Sequence, residues 1–255
     1  MPSKPLDNIS VVLVEPSAPG NIGAAARALK NTGISRLKLV NPGNWDTPET
    51  RWMAHGSDDI LNACEIYPDL PSAIASAHIV IGTTHRRRRF RDVDSTPREI
   101  IASLAPQAHH HQIALVFGRE KDGLWQRELK YCHHLLCFPS AVSHPSLNLS
   151  QAVLLFAYEF FITLSATSPP PFSHLVDANQ LEQLYAHIRR AMEIIDFRPY
   201  NDMPDHFDRL VRRFFDRIAL ERRDAMVLHK MCGQIQKFAS RFSAGKSSNS
   251  NSDIS

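Results

Sequence analysis

The chain has 255 residues, of which 43% are hydrophobic, and a formal net charge of +3. This length suits one large domain, or one domain with a small appendage, and the apolar fraction excludes a wholly disordered protein. Residues 1–8 hold no apolar run of the length that a secretion signal needs, and the longest apolar stretch, residues 152–164, contains Glu159 and is too short to span a bilayer. We therefore expect a cytoplasmic protein without a membrane partner.

Five short runs rich in Val, Ile and Leu predict strands buried on both faces, because they lack the alternation of a half-exposed strand. The predicted strands are Ser10–Val14, Arg36–Val40, His78–Gly82, Ile113–Phe117 and His134–Phe138. The predicted helices are Ile22–Asn31, Pro71–Ala77, Pro97–Leu104, Gln126–Cys132 and Leu149–Leu164. Asn21 is expected to cap the first helix, and Gly33 follows its end. This alternation predicts an α/β domain over residues 1–164, with a mostly parallel sheet flanked by helices.

The pattern changes after residue 164. Residues 165–173 contain three successive prolines, which end the preceding helix and predict a Pro/Ser-rich linker. Over residues 174–242, apolar residues recur at helical spacing in three stretches, which predicts a small all-helical extension whose apolar stripes form core or dimer contacts. The Ser- and Asn-rich end, residues 243–255, is predicted to be a disordered tail.

Two clusters of arginine suit a polyanion. One places five arginines within His85–Arg91, and the other sets six arginines of residues 209–223 against Asp216 and Glu221. The alternative for both is a basic loop and a solvated helix face. The four cysteines form no C-x-x-C pair and are interpreted as reduced thiols. Residues 132–137, which combine two cysteines with two histidines, are assigned to a helix end and a strand rather than to a metal site.

Three segments suited to chemistry follow the ends of predicted strands, at the edge where open α/β sheets bind ligands. In the first, residues 15–30, a Pro/Gly turn opens a helix of small residues whose free N–H groups suit an anion. Arg27 lies among alanines in this helix, and the alternative to a functional role is an ordinary surface arginine.

The second and third segments are a charged turn and a helix start. Residues 116–124 have neither the P-loop nor the dinucleotide-binding glycine pattern, and Glu120 is either a catalytic base or a partner that fixes a neighbouring arginine. In residues 138–153, Ser146 and Asn148 precede a long helix, and either residue suits its cap.

Together these segments resemble the signature of the SPOUT class (TrmH superfamily) of RNA 2'-O-methyltransferases. N-I-G-A-A-A-R at residues 21–27 is similar to the first motif of that family, and V-F-G-R-E-x-x-G-L at residues 116–124 to the second. The stretch from Pro139 to Val153, with S-L-N-L-S-Q-A-V, is similar to the third. The S-L-N-L form and the arginine-bearing helical extension resemble the TrmJ branch, so the resemblance covers the chain to about residue 240.

The resemblance implies a deep trefoil knot, a rare exception to unknotted topology, made by the last strands and the helix that follows Ser146. It also implies an obligate homodimer with S-adenosylmethionine bound by the knot loops. The implied cofactor contacts are Thr83, Thr84, Gly118, Arg119, Phe138, Ser146, Leu147 and Asn148. Two features depart from the family pattern: the arginine-rich run His85–Arg91, and Trp125 at a place where a small helix-capping residue is usual.

The implied activity is methylation of a ribose 2'-hydroxyl of tRNA, at cytidine or uridine in position 32, the first nucleotide of the anticodon loop. The implied catalytic residues are Arg27, Asn21, Glu120, Ser146 and Asn148. Because arginine rarely loses its proton, a cationic Arg27 that binds the adjacent phosphate and stabilises the developing alkoxide fits ordinary chemistry better than a base. The other four residues are expected to hold Arg27 and the substrate in place, and no metal is expected.

Three alternatives remain open. In the first, the enzyme methylates another nucleotide of tRNA or rRNA. In the second, the chain is a non-catalytic RNA-binding member of the same class. The third alternative, a Rossmann-type methyltransferase, calls for a glycine-rich turn after the first strand and an acidic residue at the end of the next, where this chain has Asn41-Pro42.

Overall fold

A computed structural model describes residues 5–84, 96–139, 141, 147–170, 172–197, 204–215 and 218–249. The chain divides into two compact units, residues 1–173 and 174–255. The strands of the first unit are β1 Ile9–Val14, β2 Arg36–Val40, β3 Glu65–Tyr67, β4 Ile79–Thr83, β5 Ile113–Phe117 and β6 His134–Leu136. Its helices are α1 Pro19–Thr32, α2 Pro48–Ala54, α3 Asp58–Asn62, α4 Leu70–Ile74, α5 Pro97–Leu104, α6 Gln126–Leu129 and α7 Leu149–Ala166.

The strands form one six-stranded sheet in the order β3-β2-β1-β5-β4-β6, with parallel pairing throughout. Ile9, Val11 and Leu13 of β1 are buried in the main core with residues of α1 and α7, while Val12 and Val14 are equally buried on the opposite face. Burial on both faces is why the strands lack the strict alternation of a half-exposed strand, and even the polar side chains Ser10 and Lys38 are buried. The predicted α/β class and parallel sheet flanked by helices are confirmed.

Helix α1 starts earlier than the sequence predicts. Its N-cap is Ala18 and Pro19 is its first residue, so the prediction that Asn21 caps the helix is wrong. Proline has its φ already set for a helix and needs no N–H partner there, which favours this start. Gly33 ends the helix in the left-handed conformation, as predicted from its position.

Helices α2 and α3 and strand β3 lie in residues 41–67, where the sequence predicts no element. Helix α2 has a recognisable start, because Thr47 accepts a hydrogen bond from the Thr50 N–H and Pro48 follows the cap. Its backbone lies directly on α1: a Cβ atom on Gly23 would lie 2.1 Å from the Thr50 carbonyl oxygen. The glycine of the first motif therefore permits a close contact between two helices.

Helix α7 is apolar on two faces. Leu149, Val153, Phe156, Ala157 and Phe160 are buried in the core of the unit. Leu154, Leu155, Tyr158 and Ile162 are between 40% and 52% exposed. With 18 residues, the helix is longer than the apolar stretch read from the sequence, and by length and composition alone it could cross a membrane. Its core contacts show that one face is instead part of a globular domain.

The second unit contains α8 Ala178–Ile194, α9 Pro204–Phe215 and α10 Arg222–Asn249, which continues past residue 242. Its core includes Leu184, Tyr185 and Phe215. Arg212 belongs to this core: it pairs with both carboxylate oxygens of Glu182, and its guanidinium lies 4.6 Å from the centre of the Tyr185 ring. Met231 and Phe238 of α10 are more than half exposed.

Candidate cofactor and catalytic site

The three predicted segments meet at the carboxyl edge of the sheet, where β1, β4, β5 and β6 end. Strand β1 continues through α1 to β2 on one side, whereas β5 lies on its other side, so this edge contains a topological switch point. Ligands of open α/β sheets bind in the crevice at such a point.

Glu120 connects the first two segments. Its carboxylate accepts hydrogen bonds from the Ser17 N–H (3.0 Å) and hydroxyl (2.8 Å), the Ala18 N–H (3.1 Å) and the Asn21 side-chain amide (3.0 Å). Partial burial alone would raise the pKa of Glu120, but the hydrogen bonds from Asn21 and Ser17 outweigh it and lower the pKa to about 2. A carboxylate with this low pKa is a poor general base.

The surroundings of Glu120 favour a role in holding the first segment in place over that of a base or of a partner for an arginine. Within the described part of the chain, its carboxylate is hydrogen-bonded to Ser17, Ala18 and Asn21, and no arginine is among these partners. The carboxylate accepts from the N–H groups of Ser17 and Ala18, immediately before α1, close to the place where the sequence suggested an external anion. Glu120 thus fixes the start of this helix.

Asn148 connects the third segment to the first. Its side-chain N–H donates to the side-chain oxygen Oδ1 of Asn21 at 2.8 Å, while its own Oδ1 accepts from the N–H (2.9 Å) and hydroxyl (2.7 Å) of Ser150. Asn148 is therefore the N-cap of α7 and, at the same time, a link to α1. The structure brings Asn21, Glu120 and Asn148 together as one relay, and Ser146 lies outside the described residues.

Arg27 lies apart from this relay. It is exposed on α1, about 9 Å along the helix axis from Asn21. Among the described residues it makes no hydrogen bond and no ion pair, and it does not line the cavity described next. Its guanidinium is available to a ligand.

A cavity beside the relay contains most of the predicted cofactor residues. Of these, Thr83, Thr84, Gly118, Arg119, Phe138 and Leu147 line it. Glu120, which the sequence predicted as a catalytic residue, also lines the cavity. The remaining lining residues were not predicted from the sequence: Phe117, Lys121, Asp122, Gly123, Leu124, Cys137, Leu149, Ala152 and Phe156. Asn148 is not among the lining residues. Apolar and polar groups contribute similar shares of the walls, and the Phe138 and Phe156 rings lie 4.6 Å apart.

Residues 118–124, the cavity loop, form a tight turn that supplies one wall of the cavity. The Gly123 N–H donates to the Arg119 carbonyl oxygen at 2.9 Å, and Gly123 has a positive φ of 65°. A Cβ atom on Gly118 would lie 2.1 Å from the Gly123 carbonyl carbon. The two glycines of the second motif are therefore required by the shape of this turn.

Arg119 fixes the cavity loop through ion pairs with residues outside the loop. Its side chain is only 10% exposed and pairs at 2.8 Å with both Glu15 and Glu128. Burial alone would lower the pKa of Arg119, but these carboxylates raise it. With a further contact to the Gly123 carbonyl oxygen, its guanidinium donors are engaged within the protein. Arg119 thus shapes the cavity wall, and its guanidinium is not free to bind a cofactor.

Trp125 is the N-cap of α6, although its side chain cannot accept a hydrogen bond from the helix. Glu128, three residues later, accepts the Trp125 N–H at 2.7 Å instead. The sequence contained the signal for Glu128, since an acidic residue three positions after a cap is half of a capping box. Nothing in the sequence pattern indicated Glu15, which reaches Arg119 from a left-handed backbone with φ 47°.

Residues 132–137 occupy the turn after α6 and strand β6, as interpreted from the sequence. Cys132 is buried, and the His133 ring accepts the Val80 N–H at 3.2 Å. Among the residues that the structure describes, no three His, Cys, Asp or Glu side chains lie close enough together to hold a metal ion.

The chain is similar to proteins of known family over most of its length. The profile of the SpoU rRNA Methylase family matches residues 8–158. The tRNA (cytidine/uridine/adenosine-2'-O-)-methyltransferase TrmJ of Pseudomonas aeruginosa (strain UCBPP-PA14) is 35% identical over 247 residues, covering 92% of this chain and 96% of that protein.

Two solved structures share the fold. TrmJ from Z. mobilis ZM4 superposes with a TM-score of 0.76 at 24% identity, covering 89% of this chain and 98% of that one. The SpoU methyltransferase AviRb from Streptomyces viridochromogenes, solved in complex with AdoMet, superposes with a TM-score of 0.52 at 19% identity, covering 63% and 62%. The profile match and the 35% identical relative show that the chain belongs to the SpoU rRNA methylase family, as the three motifs indicated.

Proposed function

We propose that this protein transfers a methyl group from S-adenosylmethionine to a ribose 2'-hydroxyl of tRNA, at cytidine or uridine in position 32. The observation that carries the proposal is the relay Glu120–Asn21–Asn148, which joins the three motif segments beside one cavity. The name of the Pseudomonas relative, which the chain matches over 96% of that protein's length, supports tRNA as the substrate.

The cavity suits S-adenosylmethionine. Phe117, Leu124 and Phe138 offer apolar surface to a flat base, and Thr83 and Thr84 offer polar groups beside it. The AdoMet complex of AviRb, which shares the fold, supports the same assignment. When bound, this cofactor supplies an electrophilic methyl group, and the cavity loop and Leu147 are the parts of this chain that would hold it.

Arg27 acts on the RNA. Its exposed guanidinium, which has no partner among the described residues, binds the phosphate next to the target ribose and stabilises the charge that develops on the 2'-oxygen. Asn21, Glu120 and Asn148 hold the start of α1, and with it the direction in which Arg27 is presented. We include Ser146 in this group from the third motif alone.

The exposed face of α7 supports an obligate homodimer. Four large apolar side chains on one helix face, each at least 40% exposed, form the kind of patch that monomeric proteins rarely leave open. We propose that a second copy covers it, rather than a membrane, and that the last strands and α7 form the knot of the family. The protein then works in the cytoplasm, where its substrate is.

We further propose a division of labour along the chain. Residues 1–164 form the methyltransferase domain, residues 165–173 the linker, into which α7 extends by two residues, residues 174–242 an RNA-binding extension, and residues 243–255 a tail whose first seven residues continue α10. In the extension, Arg209, Arg213, Arg222 and Arg223 are exposed and suit phosphates. The arginines of residues 86–91 are proposed to do the same, although they lie outside the described residues.

The test is a methylation assay with the purified protein, labelled S-adenosylmethionine and a tRNA transcript, followed by mass-spectrometric mapping of the ribose. Methylation at nucleotide 32, dependent on Arg27, is the expected result. Methylation at another nucleotide would support the first alternative target. A folded protein that binds tRNA but neither binds S-adenosylmethionine nor methylates would support the non-catalytic alternative.

A further inference from the structure

An aromatic and ionic stack lies behind the cavity loop. The guanidinium carbon of Arg119 lies 3.5 Å from the centre of the Trp125 ring, and that of Arg127 lies 4.3 Å from it. Both distances are well inside the range of a cation–π contact. Arg119, Trp125 and Arg127 are called the Trp125 stack below.

Two carboxylates neutralise the Trp125 stack. Glu15 pairs with Arg119 at 2.8 Å and with Arg127 at 3.5 Å, and Glu128 pairs with them at 2.8 Å and 3.4 Å. Because two arginines that share one ring would otherwise repel each other, the pairing makes the arrangement stable. Glu15 keeps its place in this cluster from a left-handed backbone, a conformation that costs a non-glycine residue free energy. The surrounding contacts must therefore offset that strain.

The cavity loop depends on anchors of this kind. Its sequence contains two glycines, and Lys121 and Asp122 at its tip are exposed. Glycines give the unfolded loop many conformations, so the folded turn needs contacts from outside to dominate. Glu120 anchors the first half of the loop to the segment before α1, and the neighbouring Arg119 anchors it to Glu15, just after β1, and to α6.

We propose that Trp125 is a positioning residue for the cofactor cavity: by stacking on Arg119 it keeps the cavity loop in the shape that binds S-adenosylmethionine. This inference rests on the proposed function, since it assigns the cavity to that cofactor. A tryptophan at the helix cap thus replaces a small capping residue without loss of the turn, because Glu128 supplies the cap and the indole supplies the anchor.

The expected change in the Kd for S-adenosylmethionine depends on the fraction of molecules in which the cavity loop has its binding conformation. If the loop spends only a fraction of its time in the binding shape, the apparent Kd rises by the inverse of that fraction. Removal of a partly buried cation–π interaction should therefore raise the Kd by about fivefold to thirtyfold, which is ~1–2 kcal/mol at 1.4 kcal/mol per factor of ten.

The experiment measures S-adenosylmethionine binding by calorimetry, together with kcat and both KM values for methylation, in Trp125→Leu and Trp125→Phe. Leucine removes the aromatic face and phenylalanine keeps a smaller one. We expect a raised Kd and KM for the cofactor in Trp125→Leu, a partial return in Trp125→Phe, and an unchanged kcat at saturating cofactor. Trp52→Leu, at a 77% exposed position of α2, is the matched control and should bind normally.

Arg127→Gln provides a second variant with little risk to folding, because the Arg127 side chain is 62% exposed. It should raise the Kd by about twofold to fivefold, as expected for a more exposed interaction. Wild-type affinity in folded Trp125→Leu and in Arg127→Gln, or a fall in kcat without a change in Kd, would overturn the inference alone. Absence of S-adenosylmethionine binding by the wild-type protein would overturn the proposed function as well.

Discussion

At the scale of single residues, Arg27 differs from the other charged residues of the site. Glu120, Arg119 and Glu128 form their hydrogen bonds within the protein, whereas Arg27 has no such partner among the described residues. The Arg27 guanidinium can therefore interact with the RNA and with the charge that develops on the 2'-oxygen without first losing a partner inside the protein.

Arg27→Ala should lower kcat by about 10²–10³ while leaving the Kd for S-adenosylmethionine unchanged, because the cavity does not include Arg27. Arg27→Lys separates charge from shape: it should recover little if the planar fork bridges a phosphate and the 2'-oxygen, and much if only a positive charge is needed. Single-turnover methylation with saturating tRNA measures both. Near-normal turnover by Arg27→Ala would refute the assigned role.

Glu120 yields a prediction about pH. Its pKa in the folded protein, about 2, is below the ordinary value of 4.5, so its contribution to stability is complete above the unfolded pKa and is lost as the pH falls through the folded one. Glu120→Gln should therefore unfold at a lower urea concentration than the wild type at pH 7. Its free energy of unfolding should be lower by about 1–3 kcal/mol, as expected when a charged hydrogen-bond acceptor is lost. The gap should narrow when the same titration is made at pH 3, and an equal gap at both values would contradict this account.

At the scale of elements, α7 joins the core of the first unit to a proposed second copy. Leu155→Glu or Tyr158→Glu places a charge in the middle of the exposed apolar face, where burial of an unpaired carboxylate is costly. We expect sedimentation analysis to show dissociation to monomers, with a dimer Kd raised ~100-fold or more, and methylation to fall with it. Ser103→Glu, on the exposed side of α5, adds the same charge elsewhere and should stay dimeric.

The elements that sequence patterns predict well are those with a long buried surface. The apolar runs of β1, β2 and β5 place these strands within one residue of their observed ends. Helices α2 and α3, with seven and five residues, and the three-residue β3 are too short to show a period of their own. The start of α1 was missed because Pro19 and Glu120, rather than a side-chain cap, determine it.

At the scale of the whole molecule, the two arginine clusters concern the affinity for RNA. The structure removes Arg212 from the second set of arginines proposed to bind RNA, because this side chain is buried, pairs with Glu182 and stabilises the helical unit. In the sequence, Arg212 was counted with the five other arginines of residues 209–223, because a sequence pattern does not reveal that one of them forms a buried ion pair.

Replacement of Arg209, Arg213 and Arg222 by alanine should weaken tRNA binding and make it less sensitive to salt. The slope of log K against log salt should become shallower by about 0.7–0.9 for each phosphate that is no longer neutralised. The affinity for S-adenosylmethionine should not change. Filter binding at low and at physiological salt tests this, and Arg212→Ala is the informative contrast, since it should lower the melting temperature instead. Unchanged tRNA binding by the triple variant would place the RNA elsewhere.

The site as a whole was predictable only through the resemblance. Glu120 and Asn21 are 99 residues apart in the chain, and Asn148 and Asn21 are 127 apart. Local patterns place each segment after a strand, but no spacing rule says which side chains then meet. The cluster of Glu15, Arg119, Trp125 and Glu128 shows the limit, because its members are ordinary residues until the fold brings them together.

The relay between Asn148, Asn21 and Glu120 also fixes when the site comes into existence. During synthesis, α1 emerges long before β5 and α7, so the start of α1 must wait for partners that are translated at least 99 residues later. Folds that depend on contacts this distant form slowly, because the loop between the partners must close first. The cavity is lined by Glu120 and by residues as late as Phe156, so a ligand that fills it binds only chains that have folded through α7. At a free ligand concentration of about 100 times the Kd, binding would stabilise these chains by about 2.7 kcal/mol. Bound cofactor would then mark mature molecules and protect them from proteases that digest unfinished ones.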